Sequence, residues 1–126
     1  MLTIEPTNDK ILLDELSRSI FGKALDGSVG FVLFCDETPV GMAHIMANDE
    51  VCYLRDIGIV PEERGKGYGD FLTRALLHNL SSVCRRIVVE PPCNYYLQFG
   101  FQLQNGKMTA DGKDLTFPHK CGHNCQ

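Results

Sequence analysis

The feature that most constrains the fold is the run Arg64-Gly65-Lys66-Gly67-Tyr68-Gly69, three glycines at alternate positions between an apolar, β-rich stretch and an amphipathic helical one. Glycine lets neighbouring amides converge with no β-carbon between them, and a helix beginning near Gly67 adds unpaired N–H groups and the positive end of its dipole. Such a junction carries the chain from a strand through a tight turn into a helix. Before it, residues 51–60 read as a strand that Pro61 ends; after it, Tyr68, Phe71, Leu72, Ala75, Leu76 and Leu80 recur on one helical face, and residues 86–89 (RIVV) form another short apolar strand. Strand, loop, helix and strand make one βαβ unit, so its two strands are expected to be parallel with a right-handed crossover.

The rest of the chain reads as sheet with one further helix. Leu2-Thr3-Ile4 is a short edge strand, Thr7 or Asn8 caps the next segment, and Ile11, Leu12, Leu16 and Ile20, with Leu13 and Phe21 beside them, keep helical spacing up to Gly22. Residues 29–35 (VGFVLFC) and 40–46 (VGMAHIM) are strands joined by turn-like residues, and with 51–60 they imply an antiparallel meander. Pro91-Pro92 breaks the chain before a brief helical or irregular segment at 95–99, and residues 101–103 and 108–117 close the sheet with a hairpin. The expectation is one α/β (α+β) domain over residues 1–126, with a mixed, mostly antiparallel sheet flanked by helices; 126 residues suffice for one core.

Two familiar phosphate loops fail against the letters. G-x-G-x-x-G started at Gly65 meets Asp70, and started at Gly67 meets Leu72; the nucleoside-triphosphate loop needs Ser or Thr after the lysine, and Lys66 is followed by Gly67. What remains is a nest for a diphosphate helped by Arg64 and Lys66, or a merely tight strand-to-helix connection. The formal charge of -4, from 12 basic and 16 acidic residues, directs no broad surface toward nucleic acid or an anionic membrane. No apolar run approaches the roughly 18 residues of a membrane helix, and the first residues lack the basic and apolar regions of an export signal, so the expected location is cytoplasmic. Six cysteines in that setting are expected to be reduced, with Cys35, Cys52 and Cys84 packing as small hydrophobes.

Residues 54–72, LRDIGIVPEERGKGYGDFL, resemble the central motif of the GNAT superfamily of N-acetyltransferases: Arg or Gln, two residues, Gly, one residue, Gly. Arg64, Gly67 and Gly69 fill those positions, and Ile59-Val60-Pro61 matches the element before them. The resemblance implies acetyl-CoA as cosubstrate. The amides of Gly65, Lys66, Gly67, Tyr68 and Gly69 would hold its pyrophosphate, and backbone groups of Ile57, Gly58 and Ile59 would pair with the pantetheine arm where strands 4 and 5 splay. Gly58 reads either as a place of close approach or as a simple bulge.

A second resemblance lies at 94–101 (NYYLQFGF), which is similar to the F-Y-x-x-x-G-F element of the same enzymes and puts Tyr96 where the family often has a general acid. A phenol with an ordinary pKa near 10 is protonated at neutral pH and can supply a proton to a departing thiolate; the alternative is a tyrosine that braces the hairpin. Asn94 reads as a pantetheine contact or a turn cap, and Tyr95 as pointing elsewhere. A lysine-like acceptor amine is almost wholly protonated at pH 7, so a base or a water chain to one is expected. Tyr53 stands where some members carry a glutamate. Asp56 reads as a base acting through water, or as a structural partner of Arg55, Arg74 or a backbone group, and Glu90 as a contact for a cationic substrate. His44 reads as a partly buried strand histidine and His78 as an outward helix residue.

The tail His119-Lys120-Cys121-Gly122-His123-Asn124-Cys125 alternates four candidate ligands, yet on a straight strand they would spread over about 20 Å, too far for one tetrahedral ion. No metal is expected. The expected partners are acetyl-CoA and a small-molecule or peptide amine, with a homodimer open to a small domain of this kind. A domain that binds acyl-CoA without catalysis, or one that transfers another acyl group, shares the same loop.

Overall fold

The computed structural model describes residues 1–24, 30–48 and 50–118. Its centre is a seven-stranded sheet in the order β1-β2-β3-β4-β5-β7-β6. Strands β1 (Leu2–Thr7), β2 (Gly30–Cys35), β3 (Thr38–Asn48) and β4 (Val51–Ile59) form the antiparallel meander, and β5 (Arg86–Val89) lies parallel to β4. Strands β6 (Gln102–Gln104) and β7 (Lys107–Asp111) are the final hairpin, with β7 antiparallel to β5. The βαβ unit and the mixed sheet are as the sequence implies; the hairpin's second strand ends at Asp111 rather than running on to Phe117, because Gly112–Asp114 turns as a 3-10 helix.

Helix α1 spans Lys10–Phe21, and its cap is Asp9, whose carboxylate accepts from the Leu12 N–H at 3.2 Å. Thr7 and Asn8 are not the cap; the Thr7 hydroxyl instead accepts from the Asp9 N–H at 3.0 Å and steadies the approach. Leu13 and Leu16 pack on Val32 and Met42. Alternation puts the neighbouring Leu33 on the opposite face of the sheet. There helix α2, Tyr68–Ser81, packs Leu72 against Leu33, Val40 and Ile59, and Leu76, Leu77 and Leu80 against Leu54, Ile87 and Val89. Its buried face is rotated from the expected one: Thr73 and Leu77 are buried, whereas Phe71 is exposed. The splayed sheet draws α2 toward β5, so the stripe that meets it is the 72-73-76-77-80 row.

The expectation of reduced thiols fails at Cys52, Cys84 and Cys93, each of which is disulfide-bonded. Cys52 on β4 and Cys84, just past α2, form a disulfide with their Cα atoms 6.2 Å apart. Parallel pairing sets Cys52 opposite Ile87, and the end of α2 returns to that same edge, so the two sulfurs are brought together by the crossover itself. Cys35 keeps a free, half-buried thiol. Among the described residues no helix is long and apolar enough to cross a membrane.

Candidate active site

The site begins with a break in the sheet. β4 pairs with β5 only through residues 51–54, the last bond in line running from the Glu90 N–H to the Leu54 carbonyl at 3.3 Å. On the other side of β4 the register with β3 jumps: Ile45 faces Leu54 while His44 faces Asp56, which leaves Arg55 as a bulge. Beyond the bulge β4 runs beside β3 alone. The bond from the Val60 N–H to the Val40 carbonyl at 2.9 Å fixes which residues face which way. Even-numbered residues 56 and 58 bond β3, and the amide groups of Ile57 and Ile59 face the opening that β5 has left. Gly58 is therefore committed to Met42, and its missing side chain serves α1: a β-carbon there would lie 2.5 Å from Ile20 Cγ2 and 3.3 Å from the Phe21 ring.

The glycine loop closes one end of this opening. Gly65 and Gly67 have φ of +83° and +81°, the left-handed region that glycine enters without cost, and Gly67 is the N-cap of α2. Helical bonding resumes only with Phe71, whose N–H donates to the Gly67 carbonyl at 3.1 Å. The N–H groups of residues 65–70 consequently have no acceptor among the described residues, and they gather where the helix dipole is positive. The two basic residues are otherwise engaged. Arg64 donates from Nε to the Ile59 carbonyl at 2.9 Å and from a terminal nitrogen to the Ile20 carbonyl at 3.4 Å, tying loop, strand and α1 together. Lys66 donates to Glu63 at 2.6 Å and stands outside the cavity lining.

A cavity of about 910 Å³ runs from this loop along the open edge, between the end of α1 and the segment after β5. Its lining brings together Asp56, Ile57, Gly58, Ile59, Arg64, Gly65, Gly67, Tyr68, Gly69 and Tyr96. Asn94 is not among them; it is exposed at the start of the 3-10 turn Asn94–Phe99. That turn directs its two tyrosines differently. The Tyr95 hydroxyl donates to Asp70 Oδ1 at 2.5 Å, Asp70 accepts from Arg74 at 2.9 Å, and Arg74 reaches Gln98 at 3.0 Å. Burial and the Asp70 carboxylate push the Tyr95 phenol far above its usual range, so it is a fixed strut between α2 and the turn. Tyr96 packs edge-on against Tyr95 and Phe101 and lines the cavity, yet its hydroxyl makes no hydrogen bond among the described residues. Burial alone pushes its phenol up to about 12.

The far end of the cavity is acidic and braced. Asp56, about a third exposed, has neither Arg55 nor Arg74 as partner; the group facing it is His44, with Nδ1 3.9 Å from Oδ2. Glu90 pairs with Lys107 at 3.2 Å, and Arg55, Asp56, Glu90 and Pro91 line a smaller recess of about 300 Å³. His78 is exposed and meets the Phe117 ring edge-on at 5.4 Å. The His119, Cys121, His123 and Cys125 tail lies outside the described residues, among which no group of three or more candidate ligands gathers. Sequence reasoning passed over Ile20 and Phe21, whose helical spacing marks them as core, and over Val89; all three line the cavity.

The GNAT family model, described as an acetyltransferase family, matches residues 4–101. No curated protein matches the sequence. Among solved structures the chain is similar to a GNAT family acetyltransferase from Brucella melitensis in complex with acetyl-CoA, with a TM-score of 0.69, 18% identity and 88% of each chain covered. It is also similar to a GNAT family N-acetyltransferase from Escherichia coli in complex with CoA, at TM-score 0.67 and 17% identity over 90% of this chain and 82% of that one. A third is the ribosomal-protein-S18-alanine N-acetyltransferase from Escherichia coli, at TM-score 0.65 and 16% identity over 86% and 89%. With an open β4 edge, a cradle of unpaired amides and a family match spanning most of its length, the chain belongs to the GNAT family of acyl-CoA-dependent acetyltransferases.

Proposed function

We propose that the protein transfers an acetyl group from acetyl-CoA to a primary amine, of a small molecule or a peptide, by direct attack and in the cytoplasm. The observation that carries this reading is the open edge of β4, running from the amide cradle at 65–70 toward Tyr96 along one cavity. The fit is chemical: converging N–H groups suit a pyrophosphate, and an unpaired strand edge suits a chain of amides. Acetyl-CoA supplies an activated thioester acetyl group.

Each residue then has a task. The amides of Gly65, Lys66, Gly67, Tyr68 and Gly69 bind the pyrophosphate; Arg64 acts by holding the loop against Ile59 and Ile20. The N–H groups of Ile57 and Ile59 orient the pantetheine arm and the acetyl carbonyl, so much of the rate comes from alignment and fixed dipoles. Asp56 takes the proton of the incoming amine, and the Tyr96 hydroxyl donates a hydrogen bond to the departing sulfur, which leaves as the thiolate. The test is calorimetric titration with acetyl-CoA, free coenzyme A and longer acyl-CoAs, followed by thiol release in the presence of primary amines. Micromolar binding with a preference for the acetyl thioester supports the reading; no binding of any of them sinks it.

A further inference from the structure

His44 has no task in the reaction as described, yet its surroundings are unusual for a strand histidine. It sits on β3 directly opposite Asp56, is 6% exposed, and its Nε2 is the one buried side-chain nitrogen or oxygen among the described residues without a hydrogen-bond partner. Its other nitrogen, Nδ1, faces Asp56 Oδ2 at 3.9 Å. Among the described residues, the elements around it offer nothing else that is charged. β2 sets Gly30 beside it, and α1 turns Leu13, Leu16 and Ser17 inward while Glu15 and Arg18 are exposed and Asp14 pairs with Lys10 at 3.6 Å.

A buried polar atom without a partner is destabilising, so a leucine would suit this site better if packing were the only demand. Neutral imidazole carries one N–H and one bare nitrogen. A carboxylate in front of Nδ1 draws the proton there and leaves the sealed Nε2 bare. Asp56 meanwhile stands on a bulge, about a third exposed, where nothing else among the described residues restrains its carboxylate. A base must be held to a fraction of an ångström to be effective, and such contacts commonly tighten only when substrate is present.

We propose that His44 is a positioning residue for Asp56: its Nδ1–H, 3.9 Å from Oδ2 in the free protein, closes on that oxygen when the acceptor is bound and fixes the carboxylate so that the other oxygen meets the acceptor amine in the cavity. The inference rests on the reading of Asp56 as the base. It touches no substrate atom itself and moves no proton. It also explains why a strand otherwise packed with apolar residues keeps an imidazole whose far nitrogen is unsatisfied.

Two measurements on the full chain test this. In long-range proton–nitrogen spectra of ¹⁵N-labelled protein, His44 is expected to carry its proton on Nδ1 with Nε2 bare, and D56A is expected to shift that pattern toward Nε2. A wild-type His44 protonated on Nε2 and bare on Nδ1, or a spectrum that D56A leaves alone, overturns the proposal. In thiol release from acetyl-CoA, with butylamine as acceptor and water where the amine is not used, H44L is expected to lower turnover about tenfold to a hundredfold. Its melting temperature and acetyl-CoA affinity should hold, and H44N, whose amide N–H stands near the place of Nδ1, should recover turnover to within about threefold of wild type. Full activity in H44L, or H44N as poor as H44L, refutes the role of His44. D56N separates the two readings: an inert D56N beside a fully active H44L removes His44 alone, whereas wild-type turnover in D56N removes Asp56 as base and His44 with it.

Discussion

Replacing Tyr96 by phenylalanine deletes one oxygen from the cavity wall, and its effect depends on how deeply that oxygen is set. Burial pushes the phenol from 10.0 to about 12, and two pKa units correspond to roughly 3 kcal/mol held against the phenolate. Turnover is affected in two ways. The phenol is protonated at every practicable pH, so Tyr96 produces no alkaline decline below about pH 12. A thiolate with an ordinary thiol pKa of about 8.5 is also too weak a base to strip this phenol outright, by some 3.5 units or roughly 5 kcal/mol. Tyr96 thus acts by a hydrogen bond that strengthens as negative charge grows on sulfur, and the loss in Y96F should fall at the low end of acid catalysis, about a hundredfold in kcat. Acetyl-CoA affinity should change less than about twofold, because the hydroxyl serves the leaving group rather than the ground state. The assay is thiol release from about pH 6 to 10 beside calorimetry at neutral pH. Equal kcat in the two proteins, or an alkaline limb near pH 10 that disappears in Y96F, refutes the reasoning. Stability supplies an independent check. A pKa raised on folding contributes stability that is complete below about pH 10 and lost as the pH climbs through about 12, so Y96F should lose less stability than wild type over that window.

Other substitutions probe the remaining parts. G67V forces a β-branched residue into φ of +81° at the N-cap of α2, and should lower coenzyme A affinity at least tenfold in calorimetry; unchanged affinity would remove the loop from the site. G58V sets side-chain atoms where a β-carbon already lies 2.5 Å from Ile20, and should cost about 1–3 kcal/mol in urea unfolding as α1 is levered off β4; wild-type stability would mean that α1 does not rest there. Reducing the Cys52–Cys84 disulfide, which closes a separation of 32 residues, should cost about 3–4 kcal/mol and lower Tm by on the order of 10 °C. A Tm indifferent to reductant, with both thiols alkylated in the native protein, would mean that this bond is not formed.

Much of the fold was legible because local signals and long-range order agree here. The glycine junction dictated strand, turn and helix, and the short turns dictated the meander. The disulfide escaped because Cys52 and Cys84 both read as apolar packing residues, and only the crossover brings them to one edge. The face of α2 was misjudged because Phe71 and Leu77 are equally apolar; the position of β5 decides between them, and helical periodicity does not contain it. At the site, the motif marked the loop and set Tyr96 apart from Tyr95, but not the tie of Tyr95 to Asp70. Arg64 looks like a phosphate ligand and in fact spends its guanidinium on two carbonyls, while Gly58 looks like a cofactor contact and is required by Ile20. The bulge at Arg55, which turns Ile57 and Ile59 toward the opening and sets Asp56 against His44, has no signature in the letters.

The most direct test of the open edge as the cofactor's seat is a backbone amide NMR titration of the ¹⁵N-labelled protein with acetyl-CoA. Saturable shifts at Ile57, Ile59 and residues 65–70, with slowed hydrogen exchange at Ile57 and Ile59 and little change at Gly58, are the predicted result. Saturable binding that leaves Ile57 and Ile59 unprotected, or moves only residues away from β4 and the loop, would contradict the account.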